Sequence, residues 1–276
     1  MLLAATGLLA ACGAPHISIS PLPSPPHTPT PTAPVPGPTV TAAPLSAYEL
    51  GLARRAAGDT MGALEAFSQA LALDPTSAPA YLERGAIHLA LGRPQAALAD
   101  AQAAVSAEPQ NALAHFLLGE VLRLGFGAPL QALRAYKRAV QLDPALAGPT
   151  FPARWQAAAS AGQASQMLAL AHEYQRMYPD DPLGACYRGR ALIALGAPRA
   201  AIHGLVAAMK EGGPAAAWFV LGQAYTAEGA WSEARICYEQ AQLLTEGGDL
   251  SLGVVSDAPA VDLLMELGTA DLYLGN

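Results

Sequence analysis

Residues 218–241 read WFVLGQAYTAEGAWSEARICYEQA. Trp218, Leu221, Gly222 and Tyr225 fall in the first half, and Ala234, Tyr238 and Ala241 in the second. Gly229 separates the halves and suits a helix C′ position, where the backbone turns to positive φ. The stretch therefore predicts two helices joined by a short turn. A glycine in the first and alanines in the second let them approach closely, and the aromatics fill the space left beside them.

The same spacing recurs upstream. Prolines that end hairpins stand at Pro75, Pro109, Pro144 and Pro179, spaced 34, 35 and 35 residues apart. First-helix glycines stand at Gly51, Gly85, Gly119, Gly189 and Gly222, and turn glycines at Gly58, Gly92, Gly162, Gly196 and Gly229. Pro94, Pro129 and Pro198 sit near the start of a second helix, where a missing N–H costs nothing. A fixed period of this length is the mark of a stacked-repeat architecture. The pattern W-x2-L-G-x2-Y, A-x3-F-x2-A, P resembles the tetratricopeptide repeat (TPR). It is carried by Leu50, Gly51, Ala63, Phe67, Ala70 and Pro75 in the first repeat, and by Tyr81, Gly85, Ala97, Ala101, Ala104 and Pro109 in the second. Leu118, Gly119, Ala132, Tyr136, Ala139 and Pro144 carry it in the third, with one extra residue assigned to the turn at Gly125-Phe126-Gly127. Gly189, Leu192, Ala201, Leu205 and Ala208 carry it in the fifth. The resemblance implies an all-α fold, a right-handed superhelix of antiparallel helix hairpins.

The fourth repeat departs from the pattern. Trp155 stands where glycine belongs, and Pro149 and Pro152 are expected to interrupt its first helix. After residues 46–246, read as six hairpins, a Gly-rich loop spans 247–259. Residues 260–276 then read as a lone capping helix rich in apolar residues. That helix is expected to dock on the sixth repeat, its uncovered remainder being a candidate homodimer contact.

The N-terminal segment carries an address of its own. Residues 1–11, MLLAATGLLAA, are a short apolar run ending in small residues, as in a secretory signal. Leu9-Ala10-Ala11-Cys12 resembles the bacterial lipobox, which implies lipidation of Cys12. No Lys or Arg precedes the run. Residues 12–45 are rich in proline, threonine and serine and read as a disordered tether. Extended as polyproline II at about 3.1 Å per residue, about 30 of these residues would span up to ~90 Å. The expected location is therefore the cell membrane or outer membrane, lipid-anchored and facing the extracytoplasmic side. The alternative is a cytoplasmic adaptor.

Composition narrows the function. A net charge of −7 with only 15 Lys and Arg gives no basic footprint for nucleic acid. Cys12, Cys186 and Cys237 are too few and too dispersed for a disulfide framework or a zinc site, and both later thiols read as buried. The histidines show no i,i+4 pairing, so no metal is expected. No P-loop, dinucleotide fingerprint or nucleophile elbow is present, so neither a cofactor nor an enzymatic activity is expected. Asp180-Asp181, between prolines, reads as turn and N-cap chemistry.

The resemblance implies a concave groove lined by set first-helix positions. Carried over residue by residue, these are Tyr48, Leu52, Arg55, Leu82, Phe116, Glu120, Arg123, Gln156, Arg190, Phe219, Gln223 and Thr226, with Cys186, Leu89 and Ile193 also at such positions. Leu89 and Ile193 are expected to pack between repeats. The Lys/Asn set of a carboxylate clamp is missing. Arg55, Arg123 and Arg190 suggest an amphipathic or acidic-apolar peptide, laid in as helix or strand. The sequence thus points to a scaffold that binds a protein or peptide. The other reading is a ligand- or carbohydrate-binding or enzymatic envelope protein using the same groove.

Overall fold

The computed structural model describes residues 46–209, 212–255 and 258–275. Cys12, the apolar N-terminus and the proline-rich stretch lie outside the described residues. The described helices are α1 (Ala47–Ala56), α2 (Thr60–Leu73), α3 (Ala78–Ala90), α4 (Pro94–Ala107), α5 (Ala112–Glu120), α6 (Pro129–Leu142), α7 (Phe151–Ser160), α8 (Ala164–Met177), α9 (Leu183–Ala194), α10 (Pro198–Ala208), α11 (Ala215–Glu228), α12 (Trp231–Glu246) and α13 (Pro259–Leu274). Substantial packing joins helices that are adjacent in the chain or next but one. That nearest-neighbour contact pattern is what defines a solenoid.

Turn chemistry sets the hairpins. Gly58, Gly92, Gly162, Gly196 and Gly229 all adopt positive φ, between 63° and 80°. After each, an N–H bonds back five residues, as in Asp59 N to Arg54 O and Arg93 N to His88 O, both 2.9 Å. This closes the first helix as a Schellman-type cap. Pro94, Pro129 and Pro198 each open a second helix. Ser46 and Glu49 form a capping box on α1, and Asp59 and Asn111 cap α2 and α5.

The first, third and sixth hairpins interlock through a size difference. A Cβ placed on Gly51 would stand 2.5 Å from Phe67 Cε1, and one on Gly119 would stand 2.5 Å from Tyr136 Cε1. Tyr238 covers Gly222 in the same way. Phe67, Tyr136 and Tyr238 are fully buried. The glycine is a socket, and the second-helix ring is its plug.

Two irregularities are resolved differently from the sequence expectation. The extra residue of the third repeat does not lengthen the turn. Val121–Gly125 instead forms a π-helical turn that continues α5, a common way to absorb one inserted residue. The closing bond accordingly spans six residues, Ala128 N to Leu122 O at 2.8 Å, and Gly127 keeps its positive φ of 56°. In the fourth repeat the prolines do not break a helix. A 3-10 turn covers Pro144–Ala147, and α7 begins late at Phe151 with Pro152 in its first turn, where no N–H is needed.

Trp155 is accommodated by an exchange of sizes. It occupies the socket position of α7 and is 5% exposed. The plug position sixteen residues on, filled by Phe67, Leu205 and Tyr238 in other hairpins, holds Ala171, fully buried in the same cluster. Phe151, Tyr174 and Tyr187 surround the indole or its neighbours, with Trp155 and Tyr187 centroids 4.7 Å apart. Below them Arg154, 6% exposed, holds Glu173 through two bonds of 2.6 and 3.0 Å and donates to Ala147 O at 2.8 Å.

The segment after α12 folds back on the solenoid. Asp249 Oδ2 accepts from Ala215 N at 2.7 Å, and Ser251 Oγ accepts from Ala216 N at 3.1 Å. These side chains supply the cap that Pro214 does not give α11. Leu252 is buried beneath them. Helix α13 then packs on α12.

Candidate functional site

The first helices α1, α3, α5, α7, α9 and α11 bring the sequence-expected groove residues to one succession of positions, but not all of them reach a surface. Phe219 is 2% exposed and packs on Tyr238 with centroids 5.8 Å apart, and Cys186 is fully buried. Both belong to the core, because their position faces the hairpin's own second helix. Tyr48 and Phe116 share that position and lie half-buried against Phe67 and Tyr136. Leu82, Leu89 and Ile193 pack at the edges of core clusters. Leu52 likewise packs on the cluster around Phe67, and the residues left facing outward are Arg55, Glu120, Arg123, Gln156, Arg190, Gln223 and Thr226, half-buried or exposed.

Electrostatics also differ from the sequence picture. Arg55 is ion-paired with Glu83 of the next repeat. Arg123 donates to Glu120 Oε2 at 2.8 Å and to Gln156 Oε1 at 2.5 Å. Tyr136 Oη donates to Glu120 Oε1 at 2.6 Å and accepts from Arg123 Nε at 3.1 Å. Burial, together with Glu120, lifts the Tyr136 phenol far above its ordinary range, so it stays a donor. Arg55 and Arg123, both expected to attract an acidic ligand, are therefore already ion-paired. In the sixth repeat Thr226 Oγ1 lies 3.0 Å from Tyr238 Oη, which donates to Glu266 of α13 at 3.2 Å. In both repeats a groove residue is fixed from behind by the hydroxyl of the plug tyrosine.

Beside the Glu120 network lies an open apolar pocket of about 570 Å³, between α3 and α5. Ala86, Leu89, Pro94, Phe116, Glu120 and Leu124 line it. The π turn shapes its mouth: Gly125 sits so close to Pro94 that an added Cβ would stand 2.6 Å from Pro94 Cβ. The turn also leaves Leu124 59% exposed at the rim. Sequence reasoning missed Ala86, Pro94 and Leu124. The one available signal was the single-residue slip in the repeat spacing.

Asp181 is structural, as expected. It accepts from Leu183 N at 2.9 Å and from Tyr174 Oη at 2.6 Å. Cys186 and Cys237 are buried free thiols. Burial, with Asp181, pushes Cys186 up to about 12, and burial with Glu233 pushes Cys237 up to about 11. Iodoacetamide at pH 8 is expected to leave both unmodified until the protein unfolds, as read by mass spectrometry. An unfolded thiol loses its proton near pH ~8.5. The folded protein therefore binds more protons than the unfolded chain above that pH, and stability falls as pH rises. The melting temperature is expected to be flat below pH ~8 and to decline from pH ~9 upward.

Comparisons with known proteins match this geometry. A family model described as "TPR repeat" matches residues 51–92, and one described as "Tetratricopeptide repeat" matches 82–147 and 186–249. The stretch between, 148–185, holds the fourth hairpin with its exchanged Trp155 and Ala171. Among solved structures, the chain is similar to YrrB, described as a TPR protein with an unusual peptide-binding site, at 18% identity over 69% of this chain and 97% of that one, with a TM-score of 0.53. It is similar to MamA at 21% identity over 58% of this chain and 93% of that one, with a TM-score of 0.51. PilW, described as a widely conserved type IV pilus biogenesis factor, shares 19% identity over 76% of this chain and 97% of that one, with a TM-score of 0.51. At these identities the likeness is one of fold. With family models matching five of its six hairpins, the repeat period and the socket-and-plug packing together, the chain belongs to the tetratricopeptide-repeat family.

Proposed function

We propose that this chain is a non-enzymatic interaction scaffold whose first-helix groove holds a peptide segment of a partner protein. The observation that carries the reading is the apolar pocket between α3 and α5 with a pre-ordered polar row beside it, Glu120, Arg123 and Gln156. An apolar pocket with a few fixed polar groups is what peptide anchoring requires. Because Arg55 and Arg123 are ion-paired, the ligand is an amphipathic segment with one apolar anchor and neutral hydrogen-bonding groups, not an acidic one. Enlarging a pocket-lining residue, Ala86→Trp, fills the pocket at an exposed position. It is expected to abolish capture of the partner in a crosslinking pull-down while leaving the circular dichroism melt unchanged. Capture that survives both Ala86→Trp and Leu124→Glu would end the groove reading.

The same proposal places the scaffold at the bacterial cell envelope as a lipoprotein, anchored through Cys12 and held off the membrane by the proline-rich tether. Its support is the resemblance of Leu9-Ala10-Ala11-Cys12 to a lipobox, followed directly by eleven prolines between residues 14 and 45. Cells fed a palmitate analogue are expected to label the wild-type chain and not Cys12→Ala. An unlabelled wild type would leave the cytoplasmic adaptor as the standing alternative.

A further inference from the structure

Nearly every tryptophan and tyrosine of the chain meets a second ring or a cation. Trp155 packs on Tyr187 and Trp231 stacks on Tyr273, while Tyr81 lies 5.8 Å from the Arg84 guanidinium. The exceptions are Trp218 and Tyr225, which have neither an aromatic nor a cationic partner. They stand seven residues apart on α11, and so on one face of that helix. Gln223, at the groove, lies on the other side.

Both rings line a pocket of about 300 Å³ between α10, α11 and α12. Leu221 and Cys237, 3% and 4% exposed, close its inner end, and the exposed Val206 and Ile236 form its rim. The pocket exists because α10 is short. It has 11 residues where α2, α4, α6 and α8 each have 14, so about one turn is missing at the end that carries Val206. One charged residue faces this space: Glu233, in the first turn of α12. Its carboxylate is exposed and makes no hydrogen bond or ion pair among the described residues. Burial, then Cys237 and Glu233, lift the Tyr225 phenol above its ordinary range, so the ring stays neutral and its face electron-rich.

We infer that this pocket receives a basic side chain, lysine or arginine, from a partner protein. The aliphatic stem lies along Val206, Leu221 and Ile236, the cation meets Trp218 and Tyr225, and Glu233 balances its charge. An acidic occupant would be repelled by Glu233, and a wholly apolar one would cover that carboxylate without pairing it. A cation on an apolar stem uses every group present. The site shares no residue with the pocket between α3 and α5 and does not rest on the groove reading. Ala86→Trp is therefore expected to leave it unchanged.

Nuclear magnetic resonance of the isotope-labelled full chain tests this through its indole N–H signals. The probes are Nα-acetyl-lysine N-methylamide, its arginine counterpart, and the norleucine counterpart as the neutral control. The Trp218 signal is expected to shift saturably with either basic probe, with a dissociation constant on the order of 1–10 mM. The norleucine probe is expected to bind at least about fivefold more weakly. Glu233→Gln and Tyr225→Leu are each expected to weaken the basic probes at least about threefold, whereas Tyr225→Phe, which keeps the ring, stays within about twofold. Unmoved Trp155 and Trp231 signals in each variant show that the fold is intact. A Trp218 signal that responds to neither basic probe overturns the inference. So does norleucine binding as tight as theirs, or an affinity left unchanged by either Glu233→Gln or Tyr225→Leu.

Discussion

Tyr136→Ala is expected to lower the unfolding free energy by about 3–5 kcal/mol, the range for removing a large buried aromatic side chain. The ring is fully buried, fills the Gly119 socket and lies 5.9 Å from the Phe116 ring. Alanine leaves a void that the α5–α6 backbone cannot close, because both helices are pinned by neighbouring repeats. The hydroxyl has a separable role. Tyr136→Phe keeps the plug but leaves Glu120 Oε1 and Arg123 Nε short of a partner, a loss of about 1–3 kcal/mol. Urea unfolding of the two variants separates the terms. A Phe variant as damaged as the Ala variant would show that the hydrogen bonds, not the ring, hold the hairpin. Because Glu120 and Arg123 lie in the groove, the Phe variant is also expected to weaken partner capture at temperatures where it remains folded.

The second large effect is one of compensation. Trp155→Gly removes the indole from α7 and is expected to cost about 3–5 kcal/mol. Ala171→Phe alone forces a ring against that indole and is expected to cost about 1–3 kcal/mol. The double variant creates the glycine socket and aromatic plug of the first, third and sixth hairpins. It is expected to recover about 1–3 kcal/mol relative to the sum of the single changes. The indole Nε1 is buried without a hydrogen-bond partner, so the tryptophan serves by its volume. Strict additivity in thermal or urea melts would mean that the two positions do not share one space.

The hairpins were legible because their determinants are local. Gly229 and its four counterparts need positive φ wherever a helix of this kind ends, and Pro94, Pro129 and Pro198 suit only a first turn. Such constraints hold whatever the chain packs against. The slip in the third repeat was legible as a count, but its form was not. A longer turn and a π turn cost the same in sequence, and the choice fell to the π turn seated on Pro94.

The groove was legible only as positions. Phe219 occupies a position assigned to the surface yet lies under Tyr238, and Arg55 and Arg123 appear in sequence as free cations yet are ion-paired. The pairing of buried Arg154 with half-buried Glu173 left no trace in sequence at all.

The sequence by itself determined the period and where most hairpins turn, because these rest on backbone conformation at single glycines and prolines and on contacts within one repeat. The tertiary structure decided where the extra residue went, which side of the fourth hairpin carries its bulk, and which groove residues are accessible. Those outcomes depend on contacts such as Arg55 with Glu83 or Arg123 with Gln156, 28 and 33 residues apart, which exist only once one repeat has stacked on the next.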